Sequence, residues 1–165
     1  MKNIYILCVD DEPEVLEAIE RDIAGFEEVF PIETAESVDE AENIIEKIYA
    51  AGDECGLILC DHIMPDKLGV DFLANLKFDP RTKQTKKVLI TGQAGLNATI
   101  QAINECHLNH YIAKPWKGEE LKKVTRDQLT DYVIEKKLNP MPYMTHLDTT
   151  RLSEEIHKHG LISDE

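Results

Sequence analysis

The sequence predicts an α/β protein, a parallel sheet covered on both faces with a C-terminal helical extension, and three observations carry that reading. Short apolar runs alternate with longer stretches in which apolar residues recur at helical spacing. The runs carry the β-branched and aromatic residues that suit strands. The first run also ends abruptly in acids and a proline, "ILCVDDEP" (6–13), and in sheets of this kind ligands bind beyond the carboxyl ends of the strands.

The first strand is expected over "IYILCV" (4–9). Two neighbouring carboxylates about 4 Å apart repel by on the order of 4 kcal/mol at an effective dielectric near 20, so the acids after it need compensation. A solvated turn, with Asp11 or Glu12 capping a helix that has Pro13 in its first turn, is one account; a cation site awaiting a further oxygen ligand is the other. "EVLEAIERDIAGF" (14–26) sets Val15, Leu16, Ile19 and Ile23 on one helical face. The second strand is expected over "VFPIET" (29–34). "SVDEAENIIEKIYAA" (37–51) repeats the helical spacing with Val38, Ala41, Ile44, Ile45, Ile48 and Tyr49, and Ser37 with Glu40 makes a capping box at its start. "GLILCD" (56–61) and "GVDFLANLKF" (69–78) give the third strand and helix. "KVLIT" (87–91) and "LNATIQAINECHL" (96–108) give the fourth pair, and "HYIA" (110–113) the fifth strand. A long fifth helix follows over 117–138, is broken by Pro140 and Pro142 in "NPMPYMTH", and gives way to a short helix capped by Asp148 and ended by Gly160.

The 165 residues, 42% apolar, suit one domain with a modest extension. No apolar run is long enough to span a bilayer, and the start lacks a small-residue cleavage site, so a cytoplasmic protein with no membrane association is expected. Cys8, Cys55, Cys60 and Cys106 have no paired C-x-x-C spacing and read as reduced thiols. Net charge is −14, and residues 10–46 hold fifteen acids against the single base Arg21. A face that acidic repels phosphate backbones, which argues against direct nucleic-acid binding.

The strand-end rule puts Asp10, Asp11, Asp61, Thr91 and Lys114 on one rim of the sheet. The four stretches that carry them, "VDDEP", "LILCDHIMPDKLG", "VLITG" and "YIAKPW", occur in that order. Together they resemble the receiver domain of two-component response regulators over about residues 3–125. The resemblance divides the chain into a receiver domain, 1–125, and an extension, 126–165, made of the end of the fifth helix, a proline-containing linker and the short last helix. It implies a flavodoxin-like, doubly wound (βα)5 fold with strand order 2-1-3-4-5.

The same resemblance implies a chemistry. Asp61 is the expected phosphoacceptor, taking a phosphoryl group from a phosphohistidine of a histidine kinase or phosphotransfer protein. Mg²⁺ is the expected cofactor, with Asp11 a direct ligand, Asp10 acting largely through water, and Asp61 and the backbone carbonyl of Ile63 completing the protein ligands. Lys114, before a cis Pro115, pairs with the phosphoryl oxygens; Thr91 donates its hydroxyl to them, and Tyr111 changes rotamer with Thr91. Ile63 and Gln93 occupy positions that tune the phosphoryl lifetime. Pro65 and Gly69 fit the family's loop, Gly69 supplying a backbone conformation, and His62 is expected to face away from the site. The kinase is expected around Val15 and Ala18 and on the loop after Lys114, and a downstream protein target, or a second copy in a phosphorylation-dependent homodimer, on the switched surface.

Such a protein is a switch, limited to self-phosphorylation and loss of the group, and not an enzyme acting on other substrates. Haloacid-dehalogenase-type phosphatases also pair an aspartyl nucleophile with Mg²⁺, but their D-x-D is missing: Glu12 stands two after Asp10 and Ile63 two after Asp61. The remaining alternatives are a receiver-fold module that works through its surface without phosphorylation and the N-terminal receiver of a larger multidomain signalling protein. For the extension, a docking element, a linker to an output domain, a dimer-forming helix and a helix packed back on the domain are all open. Leu121, Val124, Leu129, Tyr132, Val133 and Leu138 hold no strict heptad, which argues against a long coiled coil.

Overall fold

The computed structural model describes residues 2–92, 104 and 107–159. The helix expected over 96–108 falls largely outside these residues, and so do Gln93, Cys106 and Gly160. The described elements are β1 (Ile4–Val9), α1 (Pro13–Ile23), β2 (Ile32–Ala35), α2 (Val38–Ala50), β3 (Glu54–Cys60), α3 (Gly69–Leu76), β4 (Lys86–Thr91), β5 (His110–Ala113), α4 (Gly118–Glu135) and α5 (Thr149–His159). The helix expected fifth is therefore α4 here. The five strands form one sheet in the order β2-β1-β3-β4-β5, every neighbouring pair parallel.

Period-two alternation divides the strands between two cores. Ile4, Ile6 and Cys8 of β1, Leu57 and Leu59 of β3, and Val88 and Ile90 of β4 pack with Leu16, Ile19 and Ile23 of α1 and Leu121, Leu129 and Val133 of α4. Leu7, Val9, Ile58, Cys60 and Leu89 face the other way, onto Val38, Ala41 and Ile45 of α2 and Val70, Phe72 and Leu73 of α3. With both faces covered, β3 and β4 are buried along their whole length, which is why they read as continuous apolar runs.

Four local readings are corrected by the structure. Strand β2 begins at Ile32, because Val29 and Phe30 donate their backbone N–H groups to Phe26 O and continue the turn after α1. Strand β3 begins at Glu54, and its register against β1 slips between Tyr5 and Ile6, passing over Gly56. A Cβ at Gly56 would lie 2.5 Å from Ile4 Cγ2, so this bulge needs the missing side chain. Glu12 is the N-cap residue of α1, but no side-chain cap bond forms there; Pro13 opens the helix. Helix α4 ends at Glu135, short of 138, in a Schellman turn: Lys137 N–H donates to Ile134 O and Leu138 N–H to Val133 O.

The boundary expected at 125 falls inside α4, and the chain beyond it folds back. Tyr143, Leu147 and Leu152 are buried in the same core as α1 and α4. Tyr143 stacks on Phe30 with ring centroids 5.3 Å apart, Asp148 N–H donates to Thr130 Oγ1, and Arg151 pairs with Asp131. Asp148 caps α5 as expected, accepting Arg151 N–H at 3.2 Å. Cys8, Cys55 and Cys60 are buried, and none of them forms a disulfide among the described residues.

Candidate functional site

Four of the five strands of the central sheet deliver groups to the same rim. β1 ends at Val9 and hands over Asp10 and Asp11; β3 ends at Cys60 and hands over Asp61; β4 ends in Thr91; and Lys114 follows β5 directly. Asp10 and Thr91 are 1% exposed and Asp61 5%, so these polar groups are held in the protein and must be compensated there.

One carboxylate oxygen each of Asp10, Asp11 and Asp61 lie within 4.8 Å of one another. The Lys114 ammonium donates to Asp10 Oδ2 at 2.8 Å and stands 3.5 Å from Asp61 Oδ1. Backbone donors take part of the remaining charge: Glu12 N–H reaches Asp10 Oδ1 at 2.9 Å, and His62 N–H reaches Asp61 Oδ1 at 2.8 Å. Burial pushes the Asp10 carboxyl above the ordinary range against the pull of Lys114 and the Glu12 N–H. Burial also works against the Lys114 ammonium, yet its bond to Asp10 and the nearby Asp61 hold its pKa above that of a free lysine.

The donor set suits a small, hard cation. Three carboxylates this close supply oxygen ligands only, and half-buried Asp11 leaves the rim open to water, as Mg²⁺ requires. The Lys114–Pro115 peptide is cis. The backbone carbonyl of Thr91 accepts both Lys114 N–H and the Tyr111 hydroxyl, each at 3.3 Å, so Thr91, Tyr111 and Lys114 are joined through a single atom.

The loop from Asp61 to Leu68 closes on itself through Gly69 N–H and His62 O, 2.7 Å apart. Gly69 has no positive φ, so the expected conformational role is corrected: it is glycine for room. A Cβ there would lie 1.9 Å from the Asp61 carbonyl oxygen. Ile63, in the same loop, is 50% exposed. His62 joins the site through its backbone N–H.

Sequence reasoning brought together the rim residues but missed their backbone donors, which carry no residue-type signal, and two side chains. Asp22 accepts Trp116 Nε1–H at 2.7 Å, tying the loop after Lys114 to α1. Asp66 accepts backbone N–H groups at the start of α2. No spacing rule links either pair.

The chain is similar to known proteins over most of its length. The family model of the response regulator receiver domain matches residues 6–126. The hydrogenase transcriptional regulatory protein HoxA of Cupriavidus necator is 30% identical over 125 residues, which make up 76% of this chain and 24% of that protein. The chain thus spans about a quarter of that regulator's length. Chemotaxis protein CheY1 of Helicobacter pylori is 27% identical over 120 residues, 72% of this chain and 90% of that one. Among solved structures, the signal receiver domain of an HD domain-containing protein from Pseudomonas fluorescens Pf-5 shares the fold, with a TM-score of 0.71 at 23% identity over 83% of this chain and 94% of its own.

Proposed function

The chain belongs to the response regulator receiver family of two-component signalling, and from that membership we propose that it is a switch phosphorylated on Asp61 by a phosphohistidine of a histidine kinase or phosphotransfer protein. The observation that carries the reading is the buried Asp61 carboxylate with Lys114 Nζ at 3.5 Å and the Asp10 and Asp11 oxygens within 4.8 Å. Any acidic rim attracts a cation; a lone carboxylate presented beside a lysine and two further acids is an arrangement for receiving a phosphoryl group.

An Asp61 oxygen attacks phosphorus in line with the scissile bond. The O–P bond forms as the P–N bond breaks, and the electron pair departs on the imidazole nitrogen of the donor. Transfer of this kind passes through a loose transition state, so positioning and charge compensation provide most of the catalysis. Asp11, Asp61, the Ile63 carbonyl and, through water, Asp10 would hold Mg²⁺, which when bound neutralises charge on the phosphoryl oxygens. Lys114 is already within reach of Asp61 and takes a phosphoryl oxygen with a small movement away from Asp10. The Thr91 hydroxyl takes another, and Tyr111 changes rotamer by giving up its 3.3 Å bond to the Thr91 carbonyl.

The new charge thereby biases a surface around the helix expected over 96–108, β5 and α4 toward one of two arrangements. The partners we assign are a phosphodonor around Val15, Ala18 and the loop after Lys114, and a downstream protein or a second copy on the switched surface. A cytoplasmic setting goes with that donor. The chemistry is limited to accepting the group and losing it.

The test is incubation with Mg²⁺ and acetyl phosphate followed by intact mass. One added phosphoryl group is expected, absent for Asp61→Asn and absent without Mg²⁺. An equal gain in the Asp61→Asn variant overturns the assignment. No gain in the wild type, from acetyl phosphate or a phosphorylated histidine donor, favours a module that acts through its surface alone.

A further inference from the structure

The loop that follows Asp61 is held at two points. At its base, Gly69 N–H bonds to His62 O. At its tip, the Asp66 carboxylate spans the first two backbone donors of α2, with Val38 N–H at 3.4 Å from Oδ1 and Asp39 N–H at 3.2 Å from Oδ2. Lys67, beside it, reaches Asp39 at 3.1 Å and Glu42 at 3.4 Å on the first turns of the same helix.

The start of α2 accounts for why these bonds matter. A helix leaves its first four N–H groups without internal partners. Here Ser37 O takes Ala41 N–H as the first internal bond, and of the helical donors before it Ser37 Oγ takes Glu40 N–H at 3.1 Å. The Glu40 carboxylate reaches Glu36 N–H, one residue earlier than the expected capping box requires. That leaves the two outermost helical donors, and both go to Asp66. Burial opposes its ionised form, but the N–H bonds outweigh it and hold its carboxyl below the ordinary range. The positive end of the helix is thus completed by a carboxylate from another part of the chain.

Between these two anchors lies Ile63. We propose that Asp66 is a positioning residue for the cation site: by pinning the loop tip to α2, it fixes where the Ile63 carbonyl stands relative to Asp10, Asp11 and Asp61. The proposal rests on the phosphorylation reading only for the identity of the cation. Groups that orient a metal's direct ligands alter affinity about 10- to 100-fold when removed.

Mg²⁺ alone, titrated calorimetrically into the full chain, is the probe, with the amide resonances of Val38 and Asp39 followed in parallel. Asp66→Ala is expected to bind Mg²⁺ about tenfold more weakly and to shift both amides, with the metal-free melting midpoint lowered by only about 2–4 °C for the lost cap bonds. Asp66→Asn keeps one of the two acceptor oxygens, so it is expected to recover part of the affinity. Wild-type affinity in Asp66→Ala overturns the proposal. Equal weakening in the Ala and Asn variants also overturns it, because the hydrogen bond that asparagine keeps would then contribute nothing to the site. Absence of Mg²⁺ binding in the wild type overturns it together with the Mg²⁺ part of the proposed function. Failure of Asp61 to accept phosphate, with Mg²⁺ binding intact, removes the phosphorylation reading while the Asp66 comparison still decides the positioning role.

Discussion

Gly69 shows how much of the site depends on a single missing methyl group. With the Asp61 carbonyl oxygen 1.9 Å from where a Cβ would stand, Gly69→Ala must move the loop or the end of β3. Overpacking of this kind costs about 1–3 kcal/mol, and phosphate acceptance is expected to fall with stability; denaturant unfolding and intact mass measure the two. A surface network gives a residue-scale prediction in pH. Arg81 bonds Glu46 at 2.7 Å and Asp79 at 2.8 Å, and its hydrogen bonds hold the Asp79 carboxyl below the ordinary range. A depressed carboxylate contributes stability above its unfolded pKa, about 3.9, and loses it as pH falls through the folded value. Arg81→Ala should therefore lower the melting midpoint at pH 7, with the gap closing below about pH 4. A gap that stays constant across that range would assign the effect to the stacking of Arg81 on Tyr49.

At the level of elements, the alternation of runs and helical patterns was legible because burial on both faces leaves long apolar strands. The ends were less so. β2 starts three residues after the apolar run does, because Phe30 is needed in the core while its backbone is still turning. Helix α4 stops at Glu135 although residues up to Leu138 fit a helical face; Lys137 adopts a φ of +54°, the left-handed conformation that glycine favours. Left-handed geometry costs a side-chain-bearing residue roughly 1–2 kcal/mol, so Lys137→Gly is expected to stabilise the protein by up to about 1 kcal/mol once the flexibility of glycine in the unfolded chain is offset. Thermal unfolding of that variant checks it, and a loss of stability would mean that the Schellman turn depends on the lysine side chain. α2 ends in the same turn with Gly52 at φ +84°, which makes it the internal comparison.

Across the whole molecule, the candidate site and the added structure lie at opposite ends of the sheet. Asp10, Asp61, Thr91 and Lys114 sit beyond the carboxyl ends of the strands, whereas Tyr143 stacks on Phe30, which precedes β2, and lines a cavity with Ile4 and Glu54 at the starts of β1 and β3. Tyr143→Ala is expected to cost about 3 kcal/mol, a fall of about 6–12 °C in melting midpoint, while Asp61 phosphorylation measured at low temperature stays at the wild-type level. A change of less than about 0.5 kcal/mol, the size of an ordinary surface effect, would mean that the extension does not share the cooperative core. The acidic face over residues 10–46 is partly neutralised from elsewhere, by Lys67 on Asp39 and Glu42 and by Arg81 on Glu46.

The amino-acid order by itself determined the strand and helix alternation, the rim residues and their likeness to receivers, because period and residue type are local properties that survive without a structure. The tertiary structure alone decided what those residues need from distant parts of the chain. Asp66 satisfies helix donors 28 and 27 positions away, Asp22 takes the Trp116 N–H across 94, and the extension packs back over the sheet's far end. Each is a requirement to satisfy a polar group or bury an apolar one, and such requirements name a kind of partner without naming which one. Folding chooses the partner, because only the packed backbone sets which groups stand within hydrogen-bonding distance.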